Sequence, residues 1–386
     1  MHFIRRILRM CNSLISNKLK KGSTFFLWVF LSFGTMLWLH AQPVADTILD
    51  KKTGNKILGF PVVAKTIETG WSAGLAASFT FHLSKKHHAQ RTSNVQLLGL
   101  YSFKKQLVVA LNGSQYFKNE KYVLNQQISY SSFPDKFWGI GNSTSATYEN
   151  YSFNQYYISL HLLRKIGSHW FIGIPFEMQN LLQVQYLRNG LFDQQAVPGK
   201  NGYKVLGLGV SLTFDNRNHA FAPSAGTYAQ LYFNHFDDYL GSSFVYSNLV
   251  LDARHFISLG GQQVLALQAY SFNNFGTAIP LRSLASLGGS TSMRGYYSGR
   301  YRDQNQLVFQ AEYRRPLYKS VGMVLFANVG DVAADTKKYQ LSQFKHSIGA
   351  GLRLPLNKAE KLNVRIDYGI GSKGNSGLYF QLAEAF

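Results

Sequence analysis

Cysteine is nearly absent from these 386 residues: the only one is Cys11, ahead of the one long apolar run. A lipoprotein cysteine would sit just after such a run, so Cys11 is not one. If the leading segment is removed on export, the remaining chain holds no disulfide, and it needs another source of stability. A closed β-sheet supplies one. Long apolar runs are also missing after residue 41, which leaves no segment able to cross a membrane as a helix. Signs of catalysis are scarce too. No Gly-Lys-Ser/Thr follows a Gly-rich loop to cradle phosphate, and no Gly-x-Ser-x-Gly elbow is present. His87-His88 lacks the converging ligands a metal site requires. No convincing serine, histidine and polar partner can be named for a phospholipase on a barrel wall. The sequence therefore points to no enzyme and no cofactor.

Acidic residues are few, 19 Asp and Glu against 40 Lys and Arg. Six of the basic residues (Arg5, Arg6, Arg9, Lys18, Lys20, Lys21) precede the apolar run Thr24 to Leu39, and Ala41 follows it. Basic, apolar and then small is the order of a secretory signal, with cleavage expected after Ala41. The alternative is an uncleaved anchor, for which the run is short. Without residues 1–41 the chain keeps 34 basic against 19 acidic residues, an excess of 15. The excess is scattered among strands, so anionic lipid, including lipopolysaccharide, is a better partner than nucleic acid.

What the sequence has in plenty is aromatic residues and glycine: 23 Tyr, 29 Phe and 34 Gly. Residues 42–59 are a short polar lead-in, expected to be periplasmic. From Phe60 to Phe386 there is one domain of alternating segments separated by turn-rich connections. Fifteen are placed directly, at 71–82, 92–104, 106–117, 121–132, 150–164, 169–187, 203–214, 226–237, 244–257, 262–273, 305–316, 321–330, 345–356, 361–371 and 376–386. In 361–371, Leu362, Val364, Ile366, Tyr368 and Ile370 alternate with Asn363, Arg365, Asp367 and Gly369. In 305–316, Leu307, Phe309, Ala311 and Tyr313 oppose Gln306, Gln310, Glu312 and Arg314. Either a soluble sandwich or small barrel, apolar inside, or an outer-membrane barrel, apolar outside, would give this pattern. So many strands exceed what one sandwich packs, and the aromatic excess suits interfacial girdles. Both favour an all-β transmembrane antiparallel barrel.

Short turns at 165–168, 258–261, 317–320 and 357–360 alternate with the long connections 188–202, 274–304 and 331–344. Carried back to the start, that alternation requires a sixteenth strand if the N-terminus enters from the periplasm. Ile57–Lys65 is the candidate. Its Pro61 cannot donate to a ladder, so it makes an imperfect edge strand and a weak seam with the last one.

Three stretches then carry a resemblance. Asp215-Asn216-Arg217, followed by Phe221, Pro223 and Gly226, is similar to a D-x-R-(D/N)-x-x-F-x-P-x-x-G turn. Gly288-Gly289-Ser290 running into Arg294-Gly295-Tyr296 is similar to a Gly-Gly and (V/L)-R-G-(F/Y) loop. Ala311-Glu312-Tyr313-Arg314-Arg315-Pro316 is similar to an A-E-φ-R-x-P strand. In this order and spacing, over roughly residues 60–386, they resemble the outer-membrane assembly barrels of the BamA/TamA type, the bacterial surface-antigen superfamily. Phe133 to Asn142 resembles a segment of the Bacteroidetes versions. The residues before Phe60 leave no room for a periplasmic POTRA domain, so a POTRA-less form is expected.

The resemblance implies a long loop folded into the lumen, with Arg294 meeting Glu312 on the inner wall. By the family's φ-x-D-x-G pattern, Asn328 would replace the usual second acid. The other possibility is an Arg294 solvated in an external loop. The 215–226 turn is implied to be structural, and Phe386 to belong to a C-terminal insertion signal. A terminal aromatic also suits a membrane-interface anchor. The function implied is assembly, insertion or translocation of outer-membrane proteins or lipids through a lateral seam. Unfolded outer-membrane proteins and periplasmic or lipoprotein factors would be its partners. The competing function is a passive channel or structural barrel.

Overall fold

The computed structural model describes residues 56–386 except 82, 84–92, 119, 196, 220–221, 319 and 358–361. The expected signal 1–41, most of the 42–59 lead-in, His87-His88 and Phe221 lie outside the described residues. No helix among the described residues is long and apolar enough to cross a membrane.

The chain is all-β. In order, β1 (Lys56–Thr66), β2 (Gly70–Phe81), β3 (Ser93–Ser102), β4 (Leu107–Phe117), β5 (Tyr122–Phe137) and β6 (Glu149–Lys165) are followed by β7 (Trp170–Gln185) and one short helix, α1 (Leu191–Gln194). Then come β8 (Tyr203–Asp215), β9 (Gly226–Phe236), β10 (Tyr246–Gly260) and β11 (Gln263–Phe275). Two three-residue strands, β12 (Ala285–Leu287) and β13 (Tyr301–Asp303), pair only with each other. The last five are β14 (Asn305–Tyr318), β15 (Val321–Ala333), β16 (Lys345–Asn357), β17 (Leu362–Gly371) and β18 (Ser376–Leu382). All except β12 and β13 form one closed antiparallel barrel of 16 strands, in which β1 neighbours both β2 and β18.

Side-chain parity is that of a membrane barrel turned apolar side out. Leu75, Val210, Ile348 and Ile370 are exposed on the outer surface, whereas Gln155, Gln179, Asn234, Gln310, Glu312 and Asp367 are buried on the inner wall. A soluble barrel would reverse the two faces, so the structure decides between the two readings of the alternation.

The strand Ile57–Lys65 exists and begins at Lys56, ahead of the domain start expected at Phe60. It runs in register with β2 along its whole length, from Lys56↔Thr80 to Thr66↔Gly70. With β18 it shares one registered pair, Lys65↔Phe380. Pro61 contributes no N–H on this strand, whose ladder with β18 is short.

Two boundaries differ from the expected ones. β5 continues to Phe137, so Phe133 to Phe137 is strand, and Asp135 falls on the buried inner face. At the other end β18 stops at Leu382, where the expected segment ran to 386. Ala383 takes a left-handed φ of 64° and turns the chain inward. Ala385 and Phe386 then pack against Phe256, Val264 and Ala266 inside the barrel. Phe386 is therefore not an anchor at the lipid interface.

Candidate functional site in the barrel lumen

The connection from β11 to β14, residues 276–304, is held within the lumen. Its β12–β13 hairpin carries a small apolar core: Leu287, Met293, Tyr296 and Tyr301 pack against Val308 of β14 and Val332 of β15. Gly288 lets the loop fold so tightly. Its φ is 112°, and a Cβ there would lie 2.1 Å from the Tyr297 carbonyl oxygen.

Arg294 projects from this loop and is fully buried, and the structure brings it together with Glu312 of β14 through one Nη. Its other Nη donates to Asp367 of β17 at 2.6 Å. The guanidinium plane lies 3.6 Å from the centroid of the Phe326 ring on β15. A planar fork bridging two carboxylates over an aromatic face is a task for arginine; lysine offers a single point charge.

Asn328 is not the partner expected of it. Its amide donates to Ser347 at 2.9 Å, and the second acid for Arg294 is Asp367, two strands further on. Asp331 is also taken elsewhere, by Lys345 at 2.7 Å and Asn142 at 3.1 Å. Parity puts Asp367 on the polar face of its strand but does not join it to Arg294. The signal was Asp367-Tyr368-Gly369, which has the D-x-G spacing sought on β15.

The two carboxylates are shared widely. Asp367 also meets Arg353 at 2.5 Å and Arg365 at 3.0 Å. Glu312 also meets Arg314 at 2.7 Å, and Glu384 pairs with Arg353 at 2.6 Å. The cluster thus sets four guanidinium groups against three side-chain carboxylates in a buried volume, and Arg314 also donates to the Phe386 oxygen at 3.1 Å.

Around it the loop backbone touches the wall. Gly295 has φ of 109°, and its backbone N–H donates to the Tyr379 hydroxyl on β18 at 2.9 Å. The Tyr296 hydroxyl donates to the His346 carbonyl at 2.9 Å and accepts from the Ser372 backbone N–H at 2.8 Å.

A second anchor lies on the far wall, at Asp135 of β5. It accepts from Tyr151 and Tyr297, both at 3.0 Å, and meets Arg282 and Arg302 at 3.4 Å. The sequence marks Phe133–Asn142 only by resemblance, which gives its acid no role. β5 lies across the barrel from β14 and β15, so the loop spans the lumen from wall to wall. A third tie runs to the β1–β2 turn, where Glu68 accepts from the Ser298 backbone N–H at 2.7 Å.

The 215–226 turn forms a separate unit at the end of β8. Arg217 grips Asp215 through Nε at 2.9 Å and Nη2 at 3.1 Å, and its guanidinium stacks 4.5 Å from the Tyr228 ring centroid. Asn216 Oδ1 accepts from the Thr227 backbone N–H, and Asn218 Oδ1 from that of Ser224. Gly226 takes φ of 105°, where a Cβ would lie 2.6 Å from the Asn216 carbonyl oxygen. Pro223 is buried beside it. Among the described residues no group of three or more His, Cys, Asp or Glu could hold a metal.

The Omp85 superfamily domain model matches residues 69–386. No curated protein matches the chain. Among solved structures, the barrel is similar to BamA from Haemophilus ducreyi lacking POTRA domains 1–3, with 15% identity, 86% of this chain and 70% of that chain covered, and a TM-score of 0.55. CdiB from Acinetobacter baumannii shows 13% identity over 86% of this chain and 59% of its own, with a TM-score of 0.54. CdiB from Escherichia coli shows 11% over 85% and 62%, with a TM-score of 0.55. The chain thus spans less than two thirds of either CdiB. At these identities the likeness to the three structures is one of fold.

Proposed function

Because the chain belongs to the Omp85 superfamily, we propose that this outer-membrane barrel assists the assembly, insertion or translocation of outer-membrane proteins or lipids by opening laterally between β1 and β18. The observation that carries this reading is the seam. Lys65↔Phe380 is the one registered pair joining strands that pair along most of their length with their other neighbours. Each backbone pair lost at a seam exposes polar groups to hydrocarbon, so a short ladder is the place where separation costs least. Unfolded outer-membrane proteins, lipopolysaccharide and other lipids, and periplasmic or lipoprotein factors are the partners in this reading.

Lys65 and Phe380 face each other across the seam, and the sequence holds no cysteine after Cys11. The double variant Lys65→Cys/Phe380→Cys can therefore staple it cleanly. In cells dependent on this chain, oxidation is expected to deplete outer-membrane proteins or lipids as deletion does, and reductant to restore them. A fully stapled barrel that leaves the outer-membrane inventory unchanged would refute lateral opening. Steady conductance of the purified barrel, without any insertion or lipid-transfer activity, would favour the passive channel.

A further inference from the structure

The lumen holds open space beside the loop. One cavity, of about 770 Å3, reaches the 215–226 turn and is lined by Asn94, Gln96, Asn112, Asn125, Gln127 and Gln230 among others. The second, of about 430 Å3, lies under the β12–β13 hairpin and shares Arg254 with the first. Glu177 of β7 opens into this second cavity, and its neighbours set it apart.

Six other inner-wall carboxylates, Asp135, Asp215, Asp252, Glu312, Asp331 and Asp367, are each paired with an arginine or a lysine. Glu149, at the start of β6, instead accepts from the backbone N–H groups of Leu187 and Phe192. Glu177 forms no ion pair among the described residues; its side-chain partner is the Tyr157 hydroxyl on the adjacent strand. The two arginines lining the same cavity are committed elsewhere. Arg254 holds Asp252 through Nη2 at 2.5 Å, and Arg282 faces Asp135. Tyr157 and Tyr270 line the cavity with Glu177.

A carboxylate left without a cation, facing an open cavity and flanked by phenol rings, is arranged as proteins bind organic ammonium groups. The charge attracts the nitrogen, and the electron-rich ring faces meet its alkyl substituents. We propose that Glu177, Tyr157 and Tyr270 form a binding site for an alkylammonium group, and that its ligand is a lysine side chain on an extended polypeptide lying in the lumen.

The rest of the lining favours a polypeptide over a lipid. The cavity presents Gln179, Asn248 and Gln268 beside the site, and the wider cavity beyond Arg254 is also rich in amides. Amide side chains both donate and accept, as the backbone of an extended segment requires. Acyl chains would need an apolar track that these walls do not supply. The site does not depend on the seam opening, so it stands or falls separately from the proposed function.

The test is binding to the purified full chain in lipid nanodiscs, read by fluorescence anisotropy. The probes are a labelled Gly-Ser-Lys-Ser-Gly peptide and its counterpart with glutamine in place of lysine. The lysine peptide is expected to bind at least roughly tenfold more tightly, and Glu177→Gln to abolish that difference, because the counter-charge is gone while the shape is kept. Tyr157→Phe keeps the ring and frees the carboxylate, so it should hold or raise the affinity. If Glu177→Gln fails to fold, Tyr270→Leu is the second variant, with a lowered lysine preference expected. Equal binding of the two peptides, or an unchanged preference in Glu177→Gln, would overturn the site. Displacement of the peptide by phosphoethanolamine at equal concentration would assign the pocket to a lipid amine and overturn the polypeptide assignment.

Discussion

At the scale of the residue, the Arg294 cluster is decided by how its carboxylates are shared. Four guanidinium groups share three side-chain carboxylates, and Arg314 also donates to the Phe386 oxygen at 3.1 Å, so Glu312 and Asp367 each serve more than one arginine. Without Arg294, Arg314 still satisfies Glu312, and Arg353 and Arg365 still satisfy Asp367. Removing Glu312 takes one carboxylate from Arg294 and strips Arg314 of its closest partner. Glu312→Ala is therefore expected to cost about 3–5 kcal/mol, the usual penalty for stranding a buried charge, and Arg294→Ala distinctly less. Urea unfolding in lipid vesicles and heat-modifiability on gels measure both; equal losses would show that the sharing of carboxylates is not what governs the cluster. Glu312 was legible in the sequence because strand parity alone puts it inside. Its relation to Asp367 was not. Parity assigns a face but says nothing about which of several inward strands a flexible loop will reach, and here the second acid sits two strands beyond Asn328.

At the scale of the element, the loop docks because backbone meets backbone. A Cβ on Gly369 of β17 would lie 2.7 Å from the Arg294 carbonyl carbon and oxygen, and one on Gly295 would lie 2.9 Å from the Gly371 nitrogen. Neither neighbour is a side chain that could swing aside. Gly369→Ala is thus expected to weaken docking by about 1–3 kcal/mol while leaving β17 paired. The measurement is tryptic cleavage in the loop: Arg294 and Arg302 are shielded when it is docked, and they should become cut in the variant at concentrations that spare the native barrel. An uncut variant would mean that the loop is held by its side chains alone. Strand existence was readable at nearly every position, because alternation repeats many times and errors average out. Strand ends were less so. Asp135 was hidden because Phe133–Phe137 continues β5 past the point where the alternation suggested a loop. The inward turn at Ala383 depends on a single left-handed residue with no compositional mark.

At the scale of the whole molecule, the loop straps the seam from within. Gly295 holds Tyr379 on β18, Ser298 holds Glu68 in the β1–β2 turn, and Lys104 Nζ secures the same turn through the carbonyls of Ile67 and Glu68. The two strands that share one registered pair are thereby tied to a common body. Burial raises the Glu68 carboxyl above its ordinary value, and its hydrogen bonds to Thr66 and Ser298 only partly offset this. The sign follows from linkage. The strapped state binds the proton more tightly than the released state, so Glu68's contribution to strapping is fully present below the ordinary glutamate value. It is lost as pH rises toward and through the raised one. Raising the pH across that window should loosen the seam, and Glu68→Gln, which still accepts from Ser298 but cannot ionise, should remove the dependence. Hydrogen exchange of β1 amides, corrected for the intrinsic effect of pH, reads this directly. Wild-type protection should fall with rising pH in that window while the variant's stays level. Parallel curves for the two proteins would show that Glu68 is a passive contact and that the strap has no proton-linked release.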